Sequence, residues 1–251
     1  MIELEDRGPV TILRLVRGKG NALNLEFSER IDEGLNQIER GPARAAVITG
    51  QGSVFGAGVD LQAILTGGRD YVRTFVARMG PSFERLATFP KPLVAAVNGH
   101  AIAGGAIMML ACDQRILARG TARIGLTEIQ VGVIFPAWAL EIARFATPPE
   151  HFQSLIMKGH TCLPEEALVR GLVDELVDPE RLIDRAVEVA TELGSVPTAV
   201  YTATKLQVRR PLIESGRRES AHDIKAIEQW SSPEAMRQIA AFVEKNVKRK
   251  P

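Results

Sequence analysis

The glycine pair Gly104-Gly105 stands between the apolar run KPLVAAVNGHAI and the segment AIMMLACD. A strand that feeds such a pair into a helix presents free backbone N–H groups at the positive end of the helix dipole, a place to hold an anion or a polarised oxygen. A second glycine loop, FGAGVDL, follows another buried apolar strand, AAVITG. Both loops then reach the same edge of one sheet, where their amides can converge. Two N–H groups aimed at one ester or thioester oxygen form an oxyanion hole, and each donor contributes a few kcal/mol to the transition state. The plainer alternative is that the glycines only serve tight turns. The helix after the pair holds no acid, base or nucleophile, only Ile107, Met108 and Met109.

Other candidate residues carry less. His100 lies beside the glycine pair without a second ligand or a nucleophile, and His151, His160 and His222 have no metal-ligand spacing. Asp113 ends an apolar helix, where it orients backbone. The Met108-Met109 pair reads as core, or as the lining of a tunnel for a flexible chain. Phe135, Pro136 and Trp138 read equally as core or as pocket wall. TGQGSVFG has the look of a dinucleotide loop, and Tyr201 and Lys205 form the Y-x-x-x-K pair of short-chain dehydrogenases. A dinucleotide fingerprint opens its βαβ unit and has an acid about 20 residues on. Here a hairpin and a full helix come first, Asp60 comes too early, and Tyr201 has no upstream serine partner.

The elements that must position these loops alternate. Ile2 to Val16 reads as two strands turned at RGP, Leu25 to Arg40 as a helix stopped by Gly41-Pro42, and AAVITG as a buried strand. A helical stretch from about Asp60 to Phe89, the strand LVAAVNG and the helix from Gly104 repeat the pattern. RILA gives a strand, 137–145 and 150–158 give helices, and LPEEALVRGLVDELVD gives a helix, a glycine stop and a short strand. From about Pro197 the chain is helical, with breaks near Pro211 and Pro233. Strand and helix in alternation predict a sheet with helices against it.

Composition bounds the function. At 251 residues, one sizeable domain can bury a full core. Lys and Arg total 31 against 30 acids, a net charge of +1, which speaks against nucleic acid or an anionic membrane as the main partner. The basic tail KNVKRK reads as a solvated helix end, with a substrate phosphate as the alternative. Cys112 and Cys162 make no metal or disulfide framework, no apolar run spans a bilayer, and no charged-then-apolar leader is visible. The expected setting is a reducing, cytoplasmic one.

Four motifs in register, FGAGVDL, KPLVAAVNGHAIAGGAIMMLACD, IGLTEIQVGVI and LPEEALVRGLVDELV, resemble the crotonase (enoyl-CoA hydratase/isomerase) superfamily. The resemblance implies an α/β fold with a ClpP/crotonase-like ββα-repeat core. It places the acyl-CoA site in residues 1–195 and a C-terminal helical oligomerisation region in 196–251, in a homotrimer or a dimer of trimers. The Val59 and Gly104 amides would hold the thioester oxygen. Ala22, Ala57, Asp60 and Leu61 would line the coenzyme A path, with no cofactor or metal beyond the substrate's own coenzyme A. Hydratases of the superfamily carry two glutamates. Here the first position is Ile107 and the second is Glu128, a pattern closest to monofunctional Δ3,Δ2-enoyl-CoA isomerases.

Hydration needs a base on water and an acid for carbon, whereas moving a double bond needs one base. Ile107 would line the site and keep it dry, raising the pKa of Glu128. Double-bond isomerisation is therefore the expected reaction. The alternatives are a hydratase, a decarboxylase or another enolate-forming member, or a non-catalytic acyl-CoA-binding protein. The plain reading of Glu128 is a helix-start acid with Thr127 as its cap.

Overall fold

The computed structural model describes residues 1–221 and 223–247; His222, the last three residues of the basic tail and Pro251 lie outside them. β1 (Ile2–Arg7) and β2 (Val10–Leu15) form an antiparallel hairpin turned at Gly8-Pro9. α1 (Leu25–Arg40) starts where the Asn24 side chain accepts from the Phe27 N–H at 2.8 Å and ends at Gly41.

Three ββα units then follow. In each, a strand of a large sheet leads to a strand of a small sheet and then to a helix. The first is β3 (Ala45–Gly50), β4 (Val54–Gly56) and α2 (Leu61–Ala87). The second is β5 (Leu93–Val97), β6 (His100–Ile102) and α3 (Gly104–Leu110). The third is β7 (Gln114–Ala118), β8 (Ile124–Gly125) and the one-turn α4 (Glu128–Val131).

α5 (Ala137–Ala146), α6 (Pro149–Lys158), α7 (Pro164–Val169), β9 (Glu175–Val177) and α8 (Leu182–Gly194) complete the core. The large sheet runs β1-β2-β3-β5-β7-β9, parallel after the first pair; the small one runs β4-β6-β8, all parallel. β3 and β5 are buried along their whole length, which is why AAVITG and LVAAV are continuously apolar rather than alternating. α8 covers one face of the sheet through Leu182, Ala186 and Ala190. α1, α2 and α3 share the larger core on the other face.

The last quarter is α9 (Thr198–Val208), α10 (Arg210–Ser220), α11 (Asp223–Trp230) and α12 (Pro233–Val247). α10 packs on α5, while α11 and α12 pack on α2. The helical stretch expected from about Asp60 to Phe89 is broken at Gly68, whose φ of +63° and ψ of −159° no helical residue adopts. The break expected near Pro211 falls at Arg209, so that Pro211 sits in the first turn of α10, where its missing N–H costs nothing. Among the described residues, no helix is long and apolar enough to cross a membrane.

Candidate active site

The two glycine loops meet because β4 and β6 pair side by side and their following turns pack with almost no space between them. A Cβ on Gly105 would fall 2.1 Å from the Gly56 carbonyl oxygen. Gly58, at φ +84°, lies so close that a Cβ there would be 2.9 Å from the Ala103 Cβ and 3.5 Å from the Gly104 nitrogen. Conversely, a Cβ on Gly104 would be 3.9 Å from the Gly58 carbonyl carbon, the atom bonded to the Val59 nitrogen. Val59 and Gly104 are thereby set beside one another.

Both amides are left free by the way their segments are built. Val59 forms a single parallel bridge with Leu23, and its bonds use the Gly58 carbonyl (from the Leu23 N–H, 2.7 Å) and the Asp60 N–H (to the Leu23 carbonyl, 2.8 Å). The intervening Val59 N–H consequently points elsewhere. Gly104 opens α3, where first-turn amides have no partner within the helix. Among the described residues, neither amide has a protein acceptor. Ala103, between β6 and Gly104, is held at φ +51° and ψ −125°, an arrangement costing about 1–3 kcal/mol for a residue with a side chain.

A cavity of about 290 Å³ opens against these amides. Ala57, Val59, Leu61 and Gly104 line it on one side, Thr127 and Glu128 on another. Met79 and Phe83 of α2, with Trp230 of α11 and Phe242 of α12, close it with apolar surface. Glu128 is the only acid on this wall among the described residues. It is 6% exposed, and its Oε2 has no hydrogen-bond partner. Burial pushes its pKa up from 4.5 to about 8, opposed only by a hydrogen bond from its own backbone N–H.

Several expected site residues lie elsewhere. Ile107 is fully buried in the core and does not line the cavity, whose apolar surface comes instead from residues such as Phe83, Trp230 and Phe242. Ala22 and Asp60, expected along the coenzyme A path, lie outside the lining of this cavity. Arg17 joins them, donating from Nη1 to the Ala22 carbonyl and from Nη2 to Asp60 Oδ2 at 2.8 Å, while Asp60 Oδ1 caps α2 at the Ala63 N–H. Thr127 makes no capping hydrogen bond; its side chain belongs to the wall. Pro136 lines the cavity, but Trp138 is core and Phe135 packs at its margin.

Residues on both sides of position 195 line the cavity, Trp230 and Phe242 among them. His100 Nδ1 accepts the Arg123 N–H at 2.9 Å, a loop fastening. Tyr201 and Lys205 both turn to Asp113, so the Y-x-x-x-K pair belongs to a buried charge cluster. Asn21 was missed by sequence reading: at φ +47° and 2% exposed, its Nδ2 donates to the Val54 carbonyl at 3.1 Å and fastens the loop before α1 to β4.

Residues 5–250 match the enoyl-CoA hydratase/isomerase family. A short-chain-enoyl-CoA hydratase from Clostridium acetobutylicum is 30% identical over 210 residues, 82% of this chain and 80% of that one. The mitochondrial enoyl-CoA delta isomerase 1 of Mus musculus is 25% identical over 98% of this chain and 86% of its own. The crystal structure of human mitochondrial delta3-delta2-enoyl-CoA isomerase superposes with a TM-score of 0.94 at 25% identity, covering 100% of this chain and 99% of that chain. The architecture is thus the crotonase fold, an α/β core with helices closing its cavity. The chain belongs to the enoyl-CoA hydratase/isomerase family.

Proposed function

We propose that this protein moves the double bond of a 3-enoyl-CoA to the 2-position, with Glu128 as the only base. Glu128 takes a proton from C2 of the bound thioester, and the electron pair spreads into a dienolate whose charge rests on the thioester oxygen. The Val59 and Gly104 amides donate to that oxygen. Glu128 then returns the same proton to C4, which leaves the double bond between C2 and C3, with no atom gained or lost. Coenzyme A enters as part of the substrate, and no separate cofactor or metal is needed for the step.

The observation that carries this reading is that Glu128, with its unpaired buried Oε2, is alone among acids on a mostly apolar wall among the described residues. A hydratase needs a second carboxyl to hold and split water; the described wall has none, and the position where the resemblance places it is Ile107, buried in the core. The likeness to the human isomerase supports the same choice, while the hydratase relatives keep the competing reaction worth measuring. The test offers 3-hexenoyl-CoA and crotonyl-CoA to the purified protein. Formation of 2-hexenoyl-CoA, with little hydration of crotonyl-CoA, is expected; hydration of the second without turnover of the first overturns the proposal.

The proposal extends to a homotrimer or a dimer of trimers. Met157 of α6 (63% exposed) and Val169 of α7 (78% exposed) are apolar side chains that a second copy would cover. Light scattering that returns the monomer mass at working concentration would exclude it.

A further inference from the structure

Between α4 and α5 the chain passes from Gly132 to Pro136 with no helix or strand to satisfy its polar groups. Three side chains of α11 satisfy them instead. Gln229 Nε2 donates to the Gly132 carbonyl at 2.8 Å, and the Ile134 N–H donates to Gln229 Oε1 at 3.2 Å. Trp230 Nε1 donates to the Ile134 carbonyl at 2.8 Å, and the Ala137 N–H donates to Asp223 Oδ1 at 2.8 Å. The Gln229 amide thus pairs with groups on either side of Val133, and Val133 lies on the cavity wall. The chain just before it returns to the acid: the Gly132 and Val133 N–H groups both donate to the Glu128 carbonyl at 3.1 Å. From the other side, α12 presses on the same turn, since a Cβ on Gly132 would fall 2.9 Å from the Gln238 Cβ.

We infer that Gln229 is a positioning residue for Glu128: its side-chain amide clamps the Gly132–Ile134 segment, so that Val133 and Trp230 stay against the cavity and the Glu128 carboxyl stays fixed and dry. The inference rests on the reading of Glu128 as the reacting base. Without the clamp, the part-buried Gly132 carbonyl and the exposed Ile134 N–H take water as their partner instead, and the segment is no longer tied to α11. Water would then reach the carboxyl. The ionisable groups of the neighbouring elements are Glu150, His151 and Lys158 on α6, Asp223, Lys225 and Glu228 on α11, and Glu234, Arg237, Glu244 and Lys245 on α12. None of them influences Glu128; burial raises its pKa and its own amide opposes the rise. Any change in its titration therefore reports how dry the cavity is.

The test uses the full chain carrying Gln229→Met, which keeps length and packing but loses both hydrogen bonds. Gln229 is half-buried, so the substitution leaves the core intact. Two quantities are compared with wild type. One is the rate of 3-hexenoyl-CoA isomerisation against pH. The other is the titration of the Glu128 carboxyl by carbon-13 NMR on glutamate-labelled protein, its signal identified by its loss in Glu128→Gln. We expect the plateau kcat to fall about tenfold with KM changed by less than about threefold. The Glu128 midpoint should move down from about 8 toward the ordinary carboxylate range. Gln229→Ala should move both further in the same direction. An unchanged midpoint with kcat within about twofold of wild type in both variants overturns the clamp and leaves the isomerase proposal standing. A shifted midpoint in a protein whose wild type turns over no enoyl thioester overturns the isomerase and keeps the clamp.

Discussion

Arg209 Nη2 lies 2.9 Å from Asp113 Oδ1, joining the end of α9 to the end of α3. Lys205 Nζ meets the other oxygen at 2.8 Å, and the Leu93 N–H donates to that oxygen as well. Both cations also reach backbone carbonyls. Arg209 reaches the Ala87, Ala111 and Cys112 carbonyls, and Lys205 reaches the Phe89 carbonyl. One buried anion thus faces two buried cations, and this cluster docks the helical last quarter on the core.

Removing the anion leaves both cations buried and unpaired. Asp113→Ala is expected to cost about 3–5 kcal/mol, measured by urea unfolding. Lys205→Met should cost much less, because burial lowers the lysine pKa more than Asp113 raises it, and Arg209 still neutralises the carboxylate. Equal losses in the two variants would contradict this account.

Gly58 has no room for a side chain and a φ of +84° that one would resist. Gly58→Ala must push Ala103 away or rotate the Val59 peptide, and either movement separates the paired amides. Losing one such donor lowers kcat about a hundredfold or more. Steady-state kinetics on a variant that still folds, as judged by circular dichroism, checks this, and an unchanged kcat would remove Val59 from the reaction.

The large elements were legible in the sequence because their signals are local. Asn24 and Gly41 mark the two ends of α1, and the unbroken apolar runs of β3 and β5 mark strands buried on both faces. β4, β6 and β8 were not legible, since two or three residues show no period and exist only through pairing with one another. Gly67-Gly68 signalled the break in α2 and was passed over. Glu128, Val59 and Gly104 could be named from motif resemblance. Trp230 and Phe242 could not, because helical spacing says that such residues are buried but not what they are buried against. The false promise of Tyr201 and Lys205 has the same origin: their one-turn spacing is real, but the partner, Asp113, is far away in sequence.

The reaction proposed for Glu128 requires its ionised form. With burial holding the pKa at about 8, kcat for 3-hexenoyl-CoA should rise with pH, reach half its plateau near 8 and stay level above it. Glu128→Gln should lower the plateau by about two to four powers of ten and abolish the pH dependence. A rate already flat from about pH 6 upward would assign the proton transfer to another group.

The same burial makes Glu128 a cost to the fold. Below pH 4.5 the folded and unfolded chains both hold the proton, and the group has no effect on stability. As pH rises from 4.5 toward 8, the unfolded chain releases the proton while the folded chain keeps it, so stability falls. Above about 8 the full penalty is present, of order 5 kcal/mol for a shift of this size. Glu128→Gln carries no titrating group, and its own unpaired amide adds only a constant. Urea midpoints of the variant and the wild type should therefore diverge in favour of the variant between pH 5 and 8.5 and run parallel above that. Parallel midpoints across the whole range would mean that the carboxyl titrates as it does in water, and the dry cavity that the isomerisation needs would not exist.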